Sequence, residues 1–292
     1  MYELIRVAER SYYIDCPSKI GIIKTGDDRV VLIDSGNSKD TGKKIKRILD
    51  ENGWTLDAIY NTHSHGDHIG ANNYLQKQTG CKIYAKGIEK DFTVHPILES
   101  LYIYGGYSPR ELRSRFLLAE ESGAEELCDG VLPDGVSMIP LPGHSFDMVG
   151  FLVDDGTAFI GDAYSSAQTL DKYGIGFIHD VRSYIETLRD IRNINARVFV
   201  PSHAEAVERV DEIADYNLRK TEEIIESILE FSIEPICFDE LLKKLFDKYS
   251  LNLSFEQYAL VGSTVRSYLA YLRNEERVDA LFIDNRMLWK RK

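Results

Sequence analysis

The chain has 292 residues, of which 43% are hydrophobic and 28% are charged, a composition typical of a globular protein rather than a disordered or fibrous one. Its length suits one large α/β domain with a small appendage. The formal net charge of -12 makes a nucleic-acid partner unlikely, because Lys and Arg must neutralise the phosphates of a nucleic acid.

No stretch approaches 18 consecutive apolar residues, so the sequence predicts no transmembrane helix. The N-terminus carries charges among its apolar residues and lacks the pattern of a signal peptide. The four cysteines form no CxxC pair, which indicates reduced thiols rather than disulfides or a cysteine-based zinc site. We therefore expect a cytoplasmic protein with no membrane partner; a homodimer stays open.

The first 200 residues alternate short β-branched runs with amphipathic stretches, which predicts a sheet layered with helices. Gly53 ends a predicted helix that follows the glycine at position 36. A second helix is predicted at about 183–193. The predicted strands are 19–25, 29–36, 57–62, 82–87, 136–141, 148–155, 157–162 and 196–202.

Residues 88–121 interrupt this alternation and are interpreted as an insertion. The segment contains an aromatic, glycine-rich stretch, LYIYGGYSP, and then PRELRSRFLLAEE, which predicts a helix over 109–121. Because long insertions on a catalytic scaffold often shape access to the substrate, we interpret it as a candidate lid.

The pattern changes near residue 209, after which three helices and a hairpin are predicted. This order suggests a winged-helix-like domain at 209–292, behind a catalytic domain at 1–208. Acidic residues outnumber basic ones in it, 16 to 13, which disfavours nucleic-acid reading. Only the tail is basic, and it is either a solvated hairpin end or a contact to phosphate or a partner subunit.

The stretch NTHSHGDHIGANN, residues 61–73, holds three of the seven histidines of the chain. His63 and His65 alternate with Ser64, so their side chains share one face of an extended segment. Asp67 and His68 follow where the chain would turn towards a helix. Histidine and carboxylate are good ligands for zinc, so four of them in one loop predict a metal site.

Three later strand runs are each followed by a further ligand: His144 in PGHS, Asp162 in GDA and His203 in PSH. One ion needs three or four ligands, and these seven candidate ligands exceed that number, so they indicate a second ion. His95 and His179 match no such motif and are interpreted as structural residues.

These four motifs resemble, in order, those of the metallo-β-lactamase-fold superfamily, and THSHGDH is similar to the metal motif of its glyoxalase II-like members. The resemblance covers roughly residues 10–205. It implies an α/β fold, an αββα sandwich of two mixed β-sheets flanked by helices. It also implies two divalent ions, zinc first and iron or manganese next, with Asp34 supporting the metal loop. By the resemblance, His63, His65 and His144 would hold one ion, Asp67, His68 and His203 the other, and Asp162 would bridge them.

Two such ions lower the pKa of water to about 7, which predicts a dinuclear hydrolase of a small ester, thioester, lactone or phosphodiester. Asp67 would orient the nucleophile or carry its proton to the leaving group. Lactonases of the superfamily have a tyrosine where this chain has Ser165; Tyr164, one position early, is a candidate substrate contact. Two alternatives stay open: a ligand-sensing metal protein whose winged helix binds a partner, and an endoribonuclease, which would need a basic channel.

Overall fold

The computed structural model of the protein describes residues 2–114 and 117–292. Its larger sheet has seven strands in sequential order; the first four pair antiparallel, and the last three join them in parallel. The sheet is therefore mixed, as the resemblance implies. Its strands are β1 (Glu3–Arg6), β2 (Ser11–Asp15), β3 (Ile20–Lys24), β4 (Arg29–Ile33), β5 (Thr55–Tyr60), β6 (Lys82–Ala85) and β7 (Ala124–Glu126).

The smaller sheet has four strands and is also mixed. Its order is β11-β10-β9-β8, with a parallel pair at the β10–β11 end. The strands are β8 (Val136–Pro140), β9 (Val149–Val153), β10 (Thr157–Gly161) and β11 (Val198–Pro201).

The two sheets pack face to face, because alternate residues of their strands point to opposite faces. In β4, Val31 and Ile33 join a cluster with Phe151 and Phe159 of the smaller sheet. The neighbouring residue Leu32 points the other way and packs with the outer helices. This alternation produces the αββα sandwich.

The helices cover the outer faces of both sheets. Ser38 caps the first helix by accepting a hydrogen bond from the Thr41 amide, and Ile45 and Leu49 pack against the larger sheet. The helices are α1 (Lys39–Glu51), α2 (Gly66–Ile69), α3 (Asn72–Thr79), α4 (Gly87–Val94), α5 (Ile97–Tyr104), α6 (Ala167–Tyr173), α7 (Val181–Asp190), α8 (Asp211–Phe231), α9 (Phe238–Lys248) and α10 (Phe255–Asn274).

Within the segment predicted as an insertion, the helix expected over 109–121 is wrong for the residues the structure describes there. Only a 3₁₀ turn at Arg110–Arg113 forms, and 117–121 are not helical. Leu112 and Leu117 pack into a small cluster with Ala259 of α10, so tertiary contacts override the local helical pattern. Two short helices, α4 and α5, occupy the first half of the segment instead.

The C-terminal part has the predicted order of three helices followed by a hairpin of β12 (Val278–Ile283) and β13 (Arg286–Arg291). Its helices share one hydrophobic cluster with the smaller sheet and α7, in which Leu188 packs with Ile225 and Tyr268. The boundary at residue 209 and the winged-helix likeness stay predictions. Among the described residues, no helix combines the length and the apolar composition needed to cross a bilayer.

Candidate metal centre

The seven predicted ligands come together at the ends of strands from both sheets. His63 and His65 follow β5, Asp162 follows β10, and His203 follows β11. Among the described residues, three overlapping groups could each hold a metal ion. Within each group, the ligand atoms lie within 4.8 Å of one another. The groups are His63, His65 and His144; His63, His68 and Asp162; and Asp67, His68 and His203.

We call His63, His65 and His144 the closed group, because little of it reaches solvent. His65 Nδ1 lies 3.0 Å from His63 Nε2 and 3.1 Å from His144 Nε2. Burial lowers the pKa of all three rings, to about 3 for His65. They are therefore neutral at pH 7, and neutral imidazole is the form that binds a metal.

We call Asp67, His68 and His203 the open group, because it contains the two most exposed ligands. His203 Nε2 lies 3.0 Å from Asp67 Oδ2, and these side chains are 30% and 31% exposed. The Asp162 carboxylate raises the pKa of His203 to about 9, against the effect of burial. Burial also opposes the charge of His68, but Asp67, Asp162 and Asp34 outweigh it and raise its pKa. Without a metal, this group is charged at pH 7.

Asp162 lies between the two groups. Its Oδ2 is 3.5 Å from His144 Nε2 and 3.4 Å from His203 Nε2, while Oδ1 is 3.4 Å from His68 Nε2. Oδ1 is buried and accepts no hydrogen bond in the part of the chain the structure describes. A buried carboxylate oxygen without a donor is costly unless a cation neutralises it, so the residues present fit a metal ion.

Carbonyl and carboxylate oxygens orient three of the histidine rings. His144 Nδ1 lies 3.0 Å from the Phe177 carbonyl, and His203 Nδ1 lies 2.8 Å from the Pro17 carbonyl. His68 Nδ1 lies 2.8 Å from Asp34 Oδ2. Because each oxygen accepts a hydrogen from Nδ1, Nε2 of each ring faces the centre and can bind a metal once the ring is neutral.

Asp34 also holds the start of the metal loop. It accepts hydrogen bonds from the Thr62 amide at 2.8 Å and from Thr62 Oγ1 at 2.7 Å. Its φ of 63° lies in the left-handed region, which ends β4 at Ile33, three residues before the predicted strand end. Its position agrees with the supporting role that the resemblance implies.

Glu89, in α4, is a functional candidate that the sequence did not reveal. Its Oε2 accepts from the amide and Oγ of Ser64, at 2.9 and 2.5 Å. Its Oε1 accepts from Ser145 Oγ at 2.5 Å and from the Asp147 amide at 3.1 Å. One buried carboxylate thus joins the two loops that carry the closed group. The only signal was its spacing with Phe92 and Thr93, which puts a glutamate on the buried face of a helix.

Glu99, in α5, is a second buried acid beside the closed group. Its Oε1 lies 3.6 Å from His65 Nε2, and burial raises its pKa to about 8. His179, interpreted as structural, lies in no ligand group; its Nδ1 is 2.5 Å from the Tyr102 hydroxyl and its ring packs on Phe146. His95 is exposed at the end of α4 and also lies in no ligand group.

A cavity of about 320 Å³ borders His203. Tyr164, the candidate substrate contact, lines it; the side chain is buried, and its hydroxyl has no hydrogen-bond partner among the described residues. Burial raises the pKa of this phenol, so it stays protonated at neutral pH. The other lining residues are Lys19, Ser166, Ala167, Gln168, Ala204, Glu205, Val207 and Ile213.

The whole fold is similar to a solved structure. A beta-lactamase domain protein from Burkholderia ambifaria superposes with a TM-score of 0.80 at 16% identity, over 99% of this chain and 94% of its own. At this identity the likeness shows the fold alone. The match includes the C-terminal helices, so the arrangement of catalytic sandwich and helical part recurs in another protein.

Two curated relatives match part of the chain. The atrochrysone carboxyl ACP thioesterase of Aspergillus fumigatus is 24% identical over 193 residues, 65% of this chain and 52% of its own length. The hydroxyacylglutathione hydrolase of Methylococcus capsulatus is 30% identical over 119 residues, 40% of this chain and 38% of its own. The match thus spans less than two thirds of either relative.

The family model of the metallo-beta-lactamase superfamily matches residues 13–203. This range begins in β2 and ends at His203, so it contains all seven predicted ligands. The family model, the αββα sandwich and the converging ligands agree. The chain belongs to the metallo-beta-lactamase superfamily.

Proposed function

We propose that the protein is a hydrolase that holds two divalent ions, zinc first and iron or manganese next, and cleaves a small thioester or ester. One observation carries the proposal: the carboxylate of Asp162 lies within 3.5 Å of ring nitrogens from both ligand groups. A carboxylate shared in this way suits two ions held side by side. When bound, such ions lower the pKa of water and polarise an oxygen of the substrate.

Asp67 is the residue we assign to orienting the nucleophile. Burial would raise the pKa of its carboxyl group, but His68 and the hydrogen bond from His203 outweigh burial and lower it. Asp67 is therefore ionised at neutral pH and can accept a hydrogen bond from the nucleophile. Its exposure lets it face both the substrate and solvent. These properties suit a group that orients the nucleophile, because a carboxyl group with a strongly lowered pKa holds a proton poorly at neutral pH.

The choice of thioesters rests on the two relatives, one named a thioesterase and the other a hydrolase of hydroxyacylglutathione. The neutral closed group and ionised Asp67 fit such hydrolysis at neutral pH. Lactones and phosphodiesters need the same ligands, so they belong in the test.

The test is hydrolysis by zinc-loaded protein of a panel of thioesters, oxoesters, lactones, phosphodiesters and single-stranded RNA. We expect turnover of thioesters that a chelator abolishes, and a loss of about 1000-fold in Asp162→Ala, because metal ions contribute several kcal/mol to catalysis. Asp129→Ala is the matched control, since this aspartate is exposed and distant in sequence from every ligand. Metal binding without turnover of any class would contradict the proposal and favour the sensing alternative.

A further inference from the structure

The side from which a substrate can reach the metal centre follows from the exposure of the ligands. Asp67 and His203 are 31% and 30% exposed, whereas the other five ligands are at most 16% exposed. The 320 Å³ cavity borders His203, so it opens beside this accessible edge. A substrate whose scissile bond lies at the open group can extend directly into it.

Four segments of the chain build the wall of the cavity: Lys19, residues 164–168, residues 203–207 and Ile213. Ser166 and Gln168 add polar atoms, but apolar atoms provide most of the lining surface. Ala167 comes from the start of α6, Ala204 and Val207 from the loop after His203, and Ile213 from the first turn of α8. The buried ring of Tyr164 completes the apolar surface.

The charged residues at the cavity do not provide a site for a charged ligand. The Lys19 amine donates to the Ala204 carbonyl at 2.7 Å and lies 3.8 Å from Asp15, so the protein already satisfies it. Glu205 is exposed at the rim and adds negative charge rather than an anion site. A cavity whose walls are mostly apolar, whose lysine is already paired and whose glutamate lies at the exposed rim favours an apolar occupant.

We propose that this cavity binds the acyl chain of the substrate and selects its length. The assignment rests on the proposed function and names the part of the thioester that the cavity accepts. The acyl chain is apolar and gains from leaving water, whereas the polar thiol part keeps its hydrogen bonds in solvent. The C-terminal part contributes to this selection through Ile213, the residue of α8 that lines the wall.

The test measures binding rather than turnover. Straight-chain carboxylates from acetate to decanoate, the acyl products of hydrolysis, are titrated calorimetrically into zinc-loaded protein. We expect the affinity to rise about fourfold for each added methylene until the cavity is full, after which it levels off. An affinity that does not change with chain length in the wild-type protein would overturn the proposal.

Two substitutions reduce the volume of the cavity from different segments. In Ile213→Trp and in Ala167→Leu, we expect the affinity to level off at a shorter chain, while acetate binds as in the wild type. Ile233→Trp is the matched control, because this isoleucine is 54% exposed and lies outside the cavity lining. The same chain-length profile in wild type, Ile213→Trp and Ala167→Leu would overturn the assignment even if one variant were poorly folded.

The two proposals fail in different ways. Affinity that grows with chain length, without hydrolysis of any ester or thioester, would remove the proposed reaction and keep the cavity assignment. If the protein hydrolyses thioesters but its affinity for carboxylates does not depend on chain length, the proposed reaction stands and the cavity assignment is wrong.

Discussion

The closed and open groups share Asp162 but differ in charge, support and exposure. The closed group is neutral and buried, and the Glu89 carboxylate accepts hydrogen bonds from the two loops that carry it. The open group is charged and borders solvent, and its His68 hydrogen-bonds to Asp34. Burial keeps the histidines of the closed group neutral and able to bind an ion directly. The histidines of the open group must lose a proton before they can bind one. Under the proposed function, the closed group would retain an ion, whereas the open group would exchange with solvent and substrate.

Separate substitutions of the two supporting carboxylates would sharpen this comparison most. Glu89→Gln puts an amide N–H₂ against hydroxyl and amide donors, so we expect metal affinity at the closed group to fall about 10- to 100-fold. Asp34→Asn loses the negative charge beside His68, and we expect a similar loss at the open group. Stepwise zinc titration against a chelator measures both affinities.

The control for this pair is internal, because each variant should leave the affinity of the other group within a few-fold of the wild type. Equal weakening of both affinities by Glu89→Gln would mean that the carboxylate stabilises the fold generally, and it would remove the distinction between the groups.

The pH dependence of metal binding gives a second comparison. His203 has a pKa of about 9 and keeps its proton at pH 7, so binding to the open group must release it. Because the pKa of His68 is also raised above its usual value, binding must release its proton too, and we expect the affinity for the second ion to rise by at least about tenfold per pH unit between pH 7 and 9. His65, with a pKa of about 3, has no proton to lose there, so the first affinity should change little with pH. Parallel pH profiles for the two ions would contradict this assignment.

The smallest effect is expected for a single hydrogen bond to Glu89. Ser145→Ala removes the donor 2.5 Å from Glu89 Oε1 but leaves the Asp147 amide and both Ser64 donors in place. We expect the affinity of the closed group to fall about fivefold, since a hydrogen bond to a charged group contributes roughly 1 kcal/mol or more. Ser18→Ala is the matched control, because Ser18 Oγ is 3.5 Å from His68 Nε2 and belongs to the open side. An equal loss of closed-group affinity in Ser145→Ala and Ser18→Ala would contradict the assignment of Ser145 to the support of the closed group.

The sequence could bring out the candidate metal ligands because each lies in a short local motif at a strand end. Histidine and aspartate beside small residues after an apolar run are visible without any knowledge of packing. The long C-terminal helices were equally visible, because their apolar residues recur over five or more turns. What could not be read was their place in the cluster shared with α7, which depends on tertiary contacts.

The segment interpreted as an insertion marks the limit of prediction from sequence. Its first half supplies Glu89 and Glu99, whose importance depends on partners far away in the chain, such as Ser145 and His65. Its helices have only eight residues each, too few for a periodic pattern to stand out. Whether the segment also acts as a lid stays a prediction.

The left-handed backbone of Asp34 carries a local conformational cost that its hydrogen bonds offset. Glycine there would relieve a conformation that costs an ordinary residue about 1 kcal/mol, but it would leave Thr62 and His68 without their acceptor. Asparagine tolerates the same backbone and keeps an acceptor, yet it carries no charge. Leaving the buried donors of Thr62 and His68 unpaired costs more than the strain that glycine relieves, so fold stability and support of the metal loop both favour aspartate at this position.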